Sequence, residues 1–157
     1  MFGKKNGYDV FLGGTKDSNW RDDFIKKMHL KNSRIKCYNP IVENWTTECI
    51  ELENLVKQHS RYHVYVITPN MSGVYSIAEL IDSVHDHSKK VYFYIEQSDI
   101  SNLSLVKIWS IPQRNSLNAV SNLVKQHGGK VASSMEELVE MIAEDYKSIS
   151  NVRNSIK

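Results

Sequence analysis

The chain has 157 residues, 24% of them charged and 41% hydrophobic, with a formal net charge of +2. That length suits one ordinary domain with its own core, and the intermixed Lys/Arg and Asp/Glu form no basic block of the kind that binds a nucleic-acid polymer. No apolar stretch approaches the roughly 18 residues that suggest a membrane span. The N-terminus lacks the apolar segment of a signal peptide, and Cys37 and Cys49 read as two buried thiols, so the expectation is a cytoplasmic protein without a membrane partner.

Residues 9–13 (Asp-Val-Phe-Leu-Gly) read as a first strand. Ser18 or Asn19 can cap a helix that follows, with Asp22 and Asp23 in its first turn and Phe24, Ile25 and Met28 on an apolar stripe. Residues 35–39 form a short second strand, stopped by Pro40. Thr46 can cap the next helix, whose Cys49, Leu52, Leu55 and Val56 make an apolar face. Residues 63–68 are a third strand, 74–87 a helix and 91–95 a fourth strand. Further on, 103–111 reads as a short helix ended by Pro112. A better helix spans 117–127, closed by Gly128 and Gly129. Residues 130–132 are a short fifth strand. Ser134 and Glu137 make a capping box for a last helix to about residue 148, with the tail beyond it frayed.

Strand–helix alternation with short connections means a parallel sheet with helices on both faces. Five strands in so short a chain favour a single flavodoxin-like α/β domain over residues 1–157. The first turn agrees, because Gly13-Gly14-Thr15 is neither a G-x-G-x-x-G fingerprint nor a P-loop. Adjacent glycines still let backbone amides approach a ligand.

Ligands of open α/β sheets gather at the carboxyl ends of the strands. The first loop delivers Gly13, Gly14, Thr15, Trp20 and Arg21 there; the second delivers Tyr38, Asn39 and Trp45; the third delivers Asn70, Ser72, Gly73, Tyr75 and Glu79. Aromatic faces, amides, one guanidinium and a carboxylate suit a sugar attached to a planar base. Arg21 could hold a phosphate bidentately or pair at the surface with Asp17 or Asp22. Glu79 falls early in its helix, where the dipole favours an ionised carboxylate, which suits a nucleophile. On the helical wheel Ile77, Leu80, Ile81 and Val84 face the core, while Tyr75, Glu79 and Asp82 share the opposite side. His85 and His87, two apart, do not share a helix face, and no metal site is expected.

Gly-Gly-Thr after the first strand, Ser-Asn-Trp-Arg-Asp at 18–22, Tyr-Asn-Pro at 38–40 and the run Ile67-Thr-Pro to Ile-Ala-Glu79 occur in that order at strand ends. Together they resemble the nucleoside 2-deoxyribosyltransferase-like proteins over about residues 8–96. The resemblance implies a flavodoxin-like fold and a double displacement without metal or organic cofactor. Glu79 would attack C1′ of a 2′-deoxynucleoside, forming a deoxyribosyl ester, and a second base or water would then take the sugar. Tyr75 could be the donor that steadies Glu79.

The chain also departs from the well-studied transferases, which carry an aspartate six residues before the nucleophile; Gly73 stands there. Asp82, Glu43 and Asp17 are the candidates for protonating the leaving base, Asp82 first by helical spacing. In those enzymes a neighbouring subunit's C-terminal end completes the site, and residues 151–157 offer no clear counterpart, leaving a homo-oligomer open. The expected partner is a small nucleoside or nucleotide. The alternatives are a nucleotide-binding module on the same fold without turnover, or an N-glycosidase acting on nucleotides or NAD.

Overall fold

Five strands pair in parallel in the order β2-β1-β3-β4-β7, the flavodoxin-like order. They are β1 (Val10–Gly14), β2 (Cys37–Tyr38), β3 (Tyr62–Ile67), β4 (Lys90–Ile95) and β7 (Lys130–Ala132). Between and after them run α1 (Trp20–Lys31), α2 (Thr47–His59), α3 (Tyr75–His85), α4 (Ile111–Gln126) and α5 (Met135–Ser155). A two-stranded antiparallel ribbon, β5 (Ser98–Asp99) with β6 (Lys107–Ile108), interrupts the alternation after β4. The computed structural model describes residues 7–101 and 105–155. Among them no helix is long and apolar enough to cross a membrane.

Both sheet faces are covered, so β3 is buried along its whole length and β4 along all but its two end residues, and both read as largely apolar runs. Side chains alternate between the two faces. Val10, Leu12, Val64, Val66, Tyr92 and Tyr94 join Trp20, Phe24 and Met28 of α1 and Leu138 and Ile142 of α5. Phe11, Tyr65, Ile67, Val91 and Phe93 join Val56 of α2, Leu80 and Val84 of α3 and Leu117 and Val124 of α4. The α1–α5 contact is closed at its rim by ion pairs from Lys27 to Glu136 and from Lys31 to Glu140.

Three expectations are corrected. Residues 107–108 are a strand within the stretch expected as a short helix over 103–111, and the helix expected over 117–127 begins at Ile111 (residues 103 and 104 lie outside the described residues). Pro112 sits in the first turn, where a missing N–H leaves nothing unpaired. Ser110 and Gln113 form a full capping box ahead of it, so the proline is a start signal. Secondly, α5 does not stop near Ser148 but continues to Ser155, with Tyr146 and Ile149 packed on the core. Thirdly, the apolar face of α2 is largely unburied. Val56 alone of its residues is fully covered, while Leu52 and Leu55 stay 43% and 40% exposed. This helix lies toward the edge strand β2, which has two residues and offers little sheet to cover.

A buried polar chain fastens α2 and α3 to β3. His63 Nε2 lies 2.9 Å from the Lys57 carbonyl and must donate to it, so Nδ1 accepts from Ser83 Oγ. Ser83 in turn accepts from the Tyr65 hydroxyl at 2.7 Å. Burial, with Lys89 nearby, lowers the His63 pKa to about 4. An unfolded chain takes up that proton below about pH 6.5, whereas the folded chain refuses it until about pH 4. The folded state therefore loses stability as pH falls through that window, about 3 kcal/mol in full. Urea midpoints between pH 7 and pH 4 should show the loss, and His63→Gln should flatten it while lowering stability at pH 7. An unflattened profile would assign the acid sensitivity elsewhere.

Candidate functional site

The carboxyl ends of β1, β2 and β3 come together as the sequence order requires. Gly14, at the end of β1, has φ +115°, and a Cβ there would stand 2.1 Å from the Val66 carbonyl oxygen. A Cβ on Gly13 would stand 2.4 Å from the Tyr65 ring. Both glycines thus serve the close approach of β1 to β3. Thr15 is buried, and its Oγ1 accepts from the Thr68 amide at 2.8 Å, tying the first loop to the third.

Trp20 and Arg21 open α1, and both are 4% exposed. The Trp20 ring packs edge-on against Phe24, and its Nε1 donates to the Thr15 carbonyl at 3.0 Å. Arg21 donates through Nε, Nη1 and Nη2 to the carbonyls of Leu12, Thr15 and Gly14. The surface ion pair considered for Arg21 is therefore not what holds it. Burial lowers its pKa to about 10, opposed by the charges of Glu53, Glu79 and Asp22.

A cleft of about 580 Å³ opens over these ends, lined by Asp17, Ser18 and Asn19 of the first loop, Arg21, Asn39 after β2, and Asn70 and Ser72 after β3. Lys16, Asp22, Ser101 and Lys107 complete its polar wall. Of the expected substrate-binding residues, Arg21, Asn39 and Ser72 meet there. Trp20 and Tyr38 are core residues, and Gly73 is exposed.

Glu79 does not line that cleft but stands close enough to Arg21 for the two charges to act on one another. Its Oε1 lies 2.8 Å from Lys57 Nζ, and the two side chains are only 17% and 22% exposed. Lys57, on α2, therefore fills the place expected of Tyr75, which is 75% exposed. Asp82, Asp17 and Glu43 are also exposed.

A second carboxylate joins this pair. Glu53 lies one helical turn before Lys57 on α2, the spacing at which glutamate and lysine meet. Burial raises its pKa, the Glu79 charge raises it further, and Lys57 and Arg21 pull the other way. The Glu53 charge also raises the Tyr38 pKa, after burial of that ring. Arg21, Glu53, Lys57 and Glu79 thus form one charge cluster drawn from α1, α2 and α3.

Sequence reading missed Glu53 and Lys57. The available signal was their four-residue spacing on a helix leading into β3, but both fell within a row of acids and bases that matched the helix dipole. Two carboxylates in unlike environments can divide the labour of nucleophile and acid at a sugar.

The fold agrees with comparison to known proteins. The family pattern described as nucleoside 2-deoxyribosyltransferase like matches residues 7–98, from before β1 to β5. That span holds every member of the charge cluster. No curated protein matches the chain. With more than half of its length matched, and with the order of strands that the motifs implied, the chain belongs to the nucleoside 2-deoxyribosyltransferase-like family.

Proposed function

We propose that the protein cleaves or exchanges the N-glycosidic bond of a nucleoside or deoxynucleoside through a covalent ester on Glu79. The observation that carries this reading is the part-buried Glu79 carboxylate, paired with Lys57 and set beside a second carboxylate of raised pKa. Glu79 attacks C1′, and the bond to the base breaks with its electron pair moving to the base nitrogen. Glu53 supplies the proton the departing base needs; its raised pKa keeps that proton available nearer neutrality than an ordinary glutamate would. Asp82, the first choice by helical spacing, is solvent-exposed and lacks that environment. In the second half-reaction Glu53 takes a proton from the incoming water or base as C1′ is released from Glu79.

Two observations favour a second reading, a nucleotide-binding module without turnover. Gly73 replaces the aspartate of the well-studied transferases, and the polar cleft beside Arg21 carries Lys16 and Lys107, cations that suit a phosphate. One panel separates these readings and the nucleotide- or NAD-cleaving alternative. Base release is followed by HPLC from nucleosides, deoxynucleosides, their monophosphates and NAD, each with and without an acceptor base. Deoxynucleoside cleavage is the expected result. Binding without release from any compound would sink the enzymatic reading and support the module.

A further inference from the structure

The charge cluster holds two cations with unequal freedom. Arg21 is pinned by three backbone carbonyls at the end of β1. The Lys57 ammonium, at the end of a four-carbon stem, contacts Glu79 and stands over the Phe11 ring, 5.8 Å from the ring centroid. Lysine is a flexible point charge, whereas the arginine fork is fixed by its hydrogen bonds. Glu53, one turn back on the same helix, is within reach of that ammonium by rotation about side-chain bonds alone.

The displacement moves negative charge across the site. Before it, Glu79 is a carboxylate and Glu53 carries a proton. After it, Glu79 is a neutral ester and Glu53 a carboxylate, its proton now on the departed base. The net charge of Arg21, Lys57, Glu53 and Glu79 is the same before and after, but the anion has passed from α3 to α2. In a partly desolvated site a stranded anion or cation is costly, and the cluster contains one cation able to follow.

We propose that Lys57 is a catalytic residue that carries its ion pair from Glu79 to Glu53 as the ester forms, and back as it breaks. The inference rests on the covalent reading of Glu79 with Glu53 as acid, and it assigns a role that neither carboxylate supplies. It makes a specific demand on the leaving group. A neutral base needs the Glu53 proton, and therefore the cation that stabilises Glu53 afterwards. A nucleoside whose base is already cationic while attached, such as 7-methyl-2′-deoxyguanosine, releases that base as a neutral molecule once it takes the bonding electron pair, and needs neither.

The test compares 2′-deoxyinosine with 7-methyl-2′-deoxyguanosine as substrates for wild type, Lys57→Gln, Lys57→Met and Lys57→Arg. Lys57→Gln keeps a neutral donor beside Glu79, should the apolar variant fail to fold. Either neutralising variant should lose about 100-fold or more on deoxyinosine, the usual scale of an acid–base contribution, and at most several-fold on the methylated nucleoside. Lys57→Arg should restore much of the difference. Equal losses on both substrates would mean that Lys57 only holds Glu79 in place, overturning the inference and leaving the covalent reading intact. Base release from neither substrate by the wild type would overturn both. A crystal structure of the enzyme trapped as a 2-fluoro sugar ester gives a reading without turnover. Lys57 Nζ should then lie within hydrogen-bond distance of Glu53; an ammonium still seated on the esterified Glu79 would refute the transfer.

Discussion

Glu79→Gln should abolish base release while leaving the fold in place. Gln keeps the volume and can accept from Lys57, but an amide forms no sugar ester at a useful rate, and loss of a covalent catalyst commonly removes several powers of ten. Glu79→Ala should be equally inactive but less stable, because it leaves a Lys57 ammonium that is 22% exposed without its partner. Turnover is read by HPLC and folding by the melting temperature of each variant. The covalent assignment has an independent check. A mechanism-based 2-fluoro nucleoside should add one sugar mass to the peptide containing Glu79, and a label on another peptide would reassign the nucleophile. Wild-type turnover in Glu79→Ala would remove the covalent mechanism outright.

The largest expected effect on stability belongs to Arg21. Replacing it with Met deprives the carbonyls of Leu12, Gly14 and Thr15 of their donor at the end of β1. Thr15 keeps the Trp20 indole, which also bonds its carbonyl. Each buried acceptor left unpaired costs about 1–3 kcal/mol, so Arg21→Met should lose about 3–5 kcal/mol in urea unfolding. Arg21→Lys should recover little, since one ammonium cannot reproduce the three-point fork. A loss below about 1 kcal/mol would mean that water satisfies those carbonyls and that the fork is no structural staple.

How much of this could be read in the sequence depends on the range of the signal. The central strands were legible because burial on both faces leaves continuous apolar runs, as in Tyr62–Ile67. Thr46 was legible as a cap, since its hydroxyl accepts from the Cys49 amide three residues on. Pro112 was misread because proline terminates and initiates helices with equal facility, and the deciding Ser110–Gln113 pair lies on its far side. The burial of Arg21 could not be read at all. A guanidinium next to Asp22 looks like a surface residue until β1 presents three carbonyls to it. The glycines at 13 and 14 resembled a ligand loop, yet they are occupied in admitting β3. Glu53 and Lys57 were hidden for a similar reason. Their partner Glu79 is more than twenty residues further along, and only the parallel pairing of β1 with β3 brings α2 and α3 together.

The thin attachment of α2 has a consequence for how the protein behaves in time. The helix that carries Glu53 and Lys57 is secured by Val56, by the Lys57–Glu79 ion pair, by the His63 bond to the Lys57 carbonyl, and by Lys89, whose ammonium binds the carbonyls of Lys57, Gln58 and Ser60 at the helix end. An element with so few buried apolar anchors opens at a free energy below that of the whole fold. Opening of α2 alone would carry Glu53 and Lys57 away from Glu79 while the sheet stays folded. Warming should disarm the population before it unfolds it, with the loop glycines, Arg21 and the cleft floor still in their native places.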